Sequence, residues 1–210
     1  MKVLWAKRVS KEVFTRHSYL RVLNIITTST KMSEYGDDSC AMVTHEGETI
    51  FFFCDVDDDT VKELCSLLKK LSRTYDTIKI AIRSGGGDLY AGFAGMDYIR
   101  TLTKKGLTIE TIAYGFCASA ATFLLLAGTK RLMGENSFIL IHQLSVEGTG
   151  GCYSELMADM KINKQLMKHF RKVYNKYAEI PEEVLEKLLS KDVILSAEKC
   201  LKYQIVDEVF

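Results

Sequence analysis

Ser119 stands in YGFCASAATFLLLAG (114–128), a lone hydroxyl between Ala118 and Ala120 where a strand-like run gives way to an apolar helix. A serine there either caps the helix, accepting from first-turn N–H groups, or sits as a nucleophile above the end of a strand. Two further features invite chemistry: His142 in FILIHQL (138–144) and the glycine run Gly85–Gly87 in SGGG. If the strands before them are parallel, all three features share the rim outside the strand carboxyl ends, where ligands gather in open α/β sheets. A serine and a histidine on one rim make a nucleophile–base pair. Glycines beside them let backbone N–H groups approach an oxyanion or an extended peptide closely. A carboxylate must then hold the imidazole tautomer, and by spacing Asp88, Glu135, Glu147, Asp159 and Asp192 are all candidates.

Competing motifs fail on their own terms. A dinucleotide loop, Gly-x-Gly-x-x-Gly, needs glycine where Tyr90 stands, and no Walker lysine follows. An α/β-hydrolase elbow, Gly-x-Ser-x-Gly, needs glycines at the positions of Cys117 and Ala121. His17, His45 and His169 lie in an arm, a connector and a helix, away from any strand's carboxyl end. On a strand, His142 by itself equally suits a satisfied core histidine.

The elements that must position these groups follow from periodicity. IFFFCDV (50–56) is an apolar run of strand length, and Thr60 with Glu63 forms a capping-box pair opening a helix striped by Val61, Leu64, Leu67, Leu68 and Leu71. IKIAI (78–82) is a second buried strand, and a helix from Leu89 to Lys105 stops at Gly106. LTIETIA (107–113) is the third strand, and the Ser119 segment with its helix runs to Gly128. FILIHQL is the fourth, apolar on both faces until His142 and so expected in a covered parallel sheet. Strand–helix alternation predicts right-handed βαβ crossovers. A helix from Tyr153 to Tyr177 has more than one apolar stripe, which suits packing on its own domain and on another subunit. Pro181 opens a further helix, Ser196 caps a short one, and QIVDEVF (204–210) ends the chain as a strand.

Bulk properties fit this scheme. The 210 residues suit one domain with an appendage. A net charge of +1 argues against dependence on nucleic acid or an anionic membrane, and runs such as FLLLAG are too short to span a bilayer. The six cysteines form no Cys-x-x-Cys pair, so no zinc or redox site is indicated, and they read as reduced cytosolic thiols. The first 31 residues carry seven Lys/Arg against the single acid Glu12. Such a start resembles a transit peptide, but Val3, Leu4, Trp5, Val13, Phe14 and Leu20 favour a surface arm of the mature protein. The expected division is an arm and loop-like connector over 1–46 and a single domain over 47–210.

GFCASAATFLLLAGTKR followed by NSFILIHQ, and KDVILSAEKCLKYQIVDEV near the end, resemble the ClpP-type serine peptidases, the proteolytic subunits of the Clp proteases. Three separated motifs match in the right order over about Gly47 to Phe210. The resemblance implies the α/β spiral of ββα units shared by ClpP and the crotonases, with a mainly parallel sheet and a protruding handle helix over 153–177. Carried over by position, Ser119 is the nucleophile, His142 the general base and Asp192 the carboxylate that orients it. Backbone N–H groups of Gly86 and Ala120 correspond to the oxyanion hole. The family needs no cofactor or metal. It cleaves peptides or unfolded proteins inside stacked heptameric rings in the cytoplasm, fed by a AAA+ unfoldase. Three departures stand out: Gly85 replaces the usual proline of Ser-Pro-Gly-Gly, Leu144 the proline after His-Gln, and Lys191 an arginine that bridges subunits. LIHQLS and CLKY look more like phage or viral ClpP-like proteins than the housekeeping enzyme. Two other readings remain: a catalytically weak ring or scaffold subunit, and a crotonase-like acyl-CoA enzyme, against which the Ser119/His142/Asp192 set weighs.

Overall fold

The computed structural model describes residues 43–146 and 151–210. The basic arm over 1–31 and Glu147 lie outside the described residues. Strand β1 (Val43–Glu46) pairs antiparallel with β2 (Thr49–Phe52). Helix α1 (Asp58–Leu71) carries the chain to β3 (Thr77–Ser84), and α2 (Leu89–Lys104) carries it to β4 (Thr108–Ala118). The short α3 (Ala121–Leu126) leads into β5 (Lys130–Met133) and β6 (Phe138–Ile141). After these come α4 (Tyr153–Tyr177), α5 (Glu182–Ser190), β7 (Val193–Ser196), α6 (Ala197–Lys202) and β8 (Glu208–Val209). The sheet order is β1-β2-β3-β4-β5-β8, with β6 joining β4 and β7 joining β6. Every pairing is parallel except β1–β2 and β6–β7.

β4 is the organising strand. Its first half, Glu110–Ala113, pairs with β5, and its second half, Phe116–Ala118, pairs with β6. The sheet therefore changes neighbour midway along β4, and the rim beyond Ala118 is bordered by β6 rather than β5. Ile50, Phe52, Ile78, Ile80, Ile82 and Ile109 are fully buried, as parallel strands covered by helices on both faces require.

Helix α1 starts earlier than Thr60. Asp57 is its N-cap, accepting from Thr60 N–H at 2.8 Å while Thr60 Oγ1 accepts from Asp57 N–H at 3.0 Å. The capping box is thus Asp57/Thr60 rather than Thr60/Glu63: an aspartate three residues upstream captures the threonine as its N3 partner. Three strands depart from expectation. VTHE, read as connector, is β1, and KRLM and VILS are β5 and β7. Ser196 does precede α6 but makes no side-chain cap bond.

Helix α4 has the expected bounds, but Phe170, Val173 and Tyr174 are its only buried residues. Over its first turns Tyr153 is 79% and Met160 66% exposed. Among the described residues, no helix is long and apolar enough to cross a membrane.

Candidate active site

Sheet register converges on one rim. β4 and β6 run parallel with Ala118 opposite Leu140, so Ser119 emerges beside Ile141, and its N–H donates to Leu140 O at 2.9 Å. β6 and β7 run antiparallel with Ile141 opposite Val193. One step further, the same register sets His142 opposite Asp192. Adjacent strands lie about 5 Å apart, so a hydroxyl, an imidazole and a carboxylate leave three neighbouring strands within one residue of the same level.

Ser119 does not act as a helix cap. The N-cap of α3 is Ala120, with no side-chain bond. Ser119 instead takes a φ of 53°, a left-handed conformation uncommon for a residue with a Cβ. That turn is held at both ends, by the bond to Leu140 and by Thr122 N–H donating to Ser119 O at 3.0 Å. Non-glycine residues in this region mark turns constrained by their surroundings.

His142 and Ser119 line the same cleft of about 360 Å³. Burial pushes the His142 pKa below its ordinary value, and the Asp192 carboxylate opposes the shift by favouring the imidazolium. A depressed pKa keeps the ring neutral, the form that can accept a proton. The apolar part of the cleft wall comes from Phe123, Phe170, Leu144, Ile162, Leu166 and Tyr174. A second depression of about 470 Å³ lies at β5, where Lys130 pairs with Glu208, Arg131 with Asp207, and Lys176 lies over the Tyr177 ring.

The glycine turn packs directly on Ser119. A Cβ on Gly86 would lie 2.5 Å from Ser119 Cβ and 3.2 Å from Ala120 N, and its φ is 100°. Gly86 N–H, however, donates to Ser84 Oγ at 3.1 Å, and Gly86 does not line the cleft. Gly86 O and Asp88 N–H both bond Val56, at 2.8 and 2.7 Å. The Gly86 carbonyl and the Gly87 N–H belong to one trans peptide and point oppositely, so the Gly87 N–H points away from Val56. Gly87 and Ala120 both line the cleft, and neither amide has an acceptor among the described residues. Of the sequence candidates, then, Ser119, His142, Asp192 and Ala120 lie at this rim, whereas Gly86 supplies a close contact and the free amide belongs to Gly87. Asp88 is committed to capping α2 through Ala91 N–H at 2.8 Å.

A mainly parallel α/β spiral with this rim is a ClpP-type fold. A ClpP1 mutant from Listeria monocytogenes superposes with a TM-score of 0.66 at 23% identity, over 78% of this chain and 91% of that one. The family model described as Clp protease matches residues 32–210, and the chain belongs to the Clp protease family. The ATP-dependent Clp protease proteolytic subunit 2 of Frankia casuarinae is 33% identical over 199 residues, 90% of this chain and 86% of the relative. The proteolytic subunit 1 of Thermobifida fusca is 34% identical over 175 residues, 78% and 74% respectively. The proteolytic subunit of Deinococcus radiodurans is 34% identical over 134 residues, and this chain covers 64% of its length.

Proposed function

We propose that this chain is a serine endopeptidase subunit. In the implied cycle, Ser119 Oγ attacks the peptide carbonyl as His142 takes its proton, forming a tetrahedral intermediate. The oxyanion accepts from the N–H groups of Gly87 and Ala120. His142 then protonates the leaving amine, and water hydrolyses the acyl-enzyme by the reverse sequence. Asp192 holds the His142 tautomer and offsets the charge the ring gains. The observation that supports this reading is the shared register of β4, β6 and β7, in which Ser119 leaves its strand within one residue of the level shared by His142 and Asp192.

No step of the cycle consumes ATP. The ATP dependence in the relatives' names is therefore assigned to a separate AAA+ unfoldase that delivers unfolded chains. The exposed apolar half of α4, with Tyr153 and Met160, supports assembly with further copies, in stacked rings as the family resemblance implies.

A fluorophosphonate probe tests the chemistry. The expected result is one adduct, mapped to Ser119 by peptide mass, and hydrolysis of a short fluorogenic peptide that falls roughly 10⁴–10⁶-fold in Ser119→Ala. A folded oligomer that neither labels nor cleaves is a scaffold, and the proposal fails.

A further inference from the structure

A buried hydroxyl needs partners, and helix α3 holds one in an otherwise apolar run, ATFLLL. Thr122 is fully buried. Its Oγ1 donates to Ser119 O at 2.6 Å, alongside the Thr122 N–H at 3.0 Å. The same Oγ1 lies 2.7 Å from Tyr174 Oη, in the buried part of α4. The direction of this chain is settled by counting protons. A carbonyl only accepts, so the single hydroxyl proton of Thr122 goes to Ser119, and Tyr174 must be the donor to Thr122. Burial also pushes the Tyr174 phenol pKa up, so the group keeps the proton it donates. Tyr174 Oη–H, Thr122 Oγ1–H and Ser119 O therefore form one directed chain from the long helix to the left-handed turn.

We infer that Tyr174 and Thr122 are positioning residues for the nucleophile: together they fix the Ser119 carbonyl, and through it the strained backbone that aims Ser119 Oγ at the cleft. Neither touches the reacting atoms through its hydroxyl. The effect is on geometry, because a left-handed serine persists only while its two peptide planes are pinned. Leu140 pins the N–H side and Thr122 the carbonyl side. Tyr174 orders the Thr122 hydroxyl, which otherwise is free to rotate off Ser119 O. This inference rests on the nucleophile reading above.

The test is the rate constant for fluorophosphonate labelling per titratable site, with kcat and KM on a fluorogenic peptide. Sedimentation and circular dichroism are matched to the wild type. Losing one neutral hydrogen bond corresponds to roughly three- to tenfold. Tyr174→Phe is expected to lower the labelling rate and kcat by that factor with KM unchanged within twofold. Thr122→Val should cost about tenfold or more, and Thr122→Ser, which keeps the hydroxyl, should stay within twofold of wild type. The decisive variant is Thr122→Val/Tyr174→Phe. If Tyr174 acts through Thr122, the double variant labels at the rate of Thr122→Val alone. It should also melt higher than Thr122→Val, because it no longer buries an unpaired phenol hydroxyl. A Tyr174→Phe protein labelled at the wild-type rate, or rate losses that multiply in the double variant, overturns the positioning role while leaving the peptidase reading intact. A wild type that is not labelled at Ser119 removes both.

Discussion

Gly86→Ala is the sharpest probe of how the proposed nucleophile is held. The added Cβ would lie 2.5 Å from Ser119 Cβ, 2.9 Å from Ala118 O and 3.2 Å from Ala120 N. Carbon atoms settle at about 3.5–4.0 Å, so the two segments must part by about 1 Å. Neither side yields readily. Gly86 O accepts from Val56 N–H at 2.8 Å, and Ser119 N–H is bonded to Leu140 O at 2.9 Å. The φ of 100° at Gly86 adds a penalty of its own for any side chain. Overpacking costs about 1–3 kcal/mol and the conformation about 1–3 kcal/mol more, so the variant should lose roughly 2–6 kcal/mol of stability. If the strain is relieved by moving Ser119, a shift of about 1 Å at the reacting hydroxyl costs on the order of 10²-fold in rate. Fluorophosphonate labelling per folded subunit reads the second effect, and denaturant unfolding the first. Gly85→Ala is the internal control, since its Cβ would meet nothing within 4 Å. It should label normally and gain about 0.4–1 kcal/mol from a stiffer unfolded chain. The reasoning is refuted if Gly86→Ala labels within threefold of wild type, or if Gly85→Ala is damaged as badly, since contact would then not be what matters.

Two further outcomes follow from the same geometry. In Asp192→Asn, kcat should fall on the order of 10³–10⁴-fold, by analogy with other triads. The acid limb of kcat/KM should also move down: the wild-type limb follows a His142 pKa already held below 6.5 by burial, and removing the carboxylate that opposes burial lowers it further. A limb that moves up contradicts that account. Sedimentation velocity on the wild type should show a multi-subunit particle, which Met160→Lys weakens by charging a side chain that is 66% exposed and needs a partner. Only monomer at micromolar wild-type concentration refutes the assembly.

The elements legible in the sequence are those whose pattern is their own. IKIAI within β3 is a short, β-branched run broken only by Lys79 and closed by the SGGG turn, which marks a strand, and α4 is long enough for its period to mark both ends. β1, β5 and β7 are four residues each, VTHE, KRLM and VILS. They are strands because a neighbour offers a free edge, and strand preference in such short segments is mostly packing context. The same limit applied to the site. Ser119 and His142 could be placed on a rim from their own strands. The choice among five carboxylates turned on the β6–β7 pairing, and only the motif match favoured Asp192. Which glycine amide faces the cleft turns on the bridge from the SGGG turn to Val56, since the C=O and N–H of one peptide point oppositely. Thr122 carries its own signal in the sequence: a hydroxyl amid the five apolar residues of α3.

Register, more than loop conformation, is what this site depends on. Ser119, His142 and Asp192 each lie one residue beyond the paired part of a strand, so each inherits its position from a ladder already formed. A one-residue slip of β7 along β6 would face His142 with Lys191 or Val193, replacing a carboxylate by an ammonium or by nothing ionisable. Such a slip is opposed by the core, because strand residues alternate faces: it would displace Leu195, which is 2% exposed, from its place beside Ile139 and set the half-buried Ile194 or Ser196 there. The apolar residue that forbids the slip sits three positions from the carboxylate, on an antiparallel strand too short to be recognised from its own sequence. The folding of β7 onto β6 and the completion of the proposed triad are therefore one event, and a substitution such as Leu195→Ser should uncouple His142 from Asp192 without touching either.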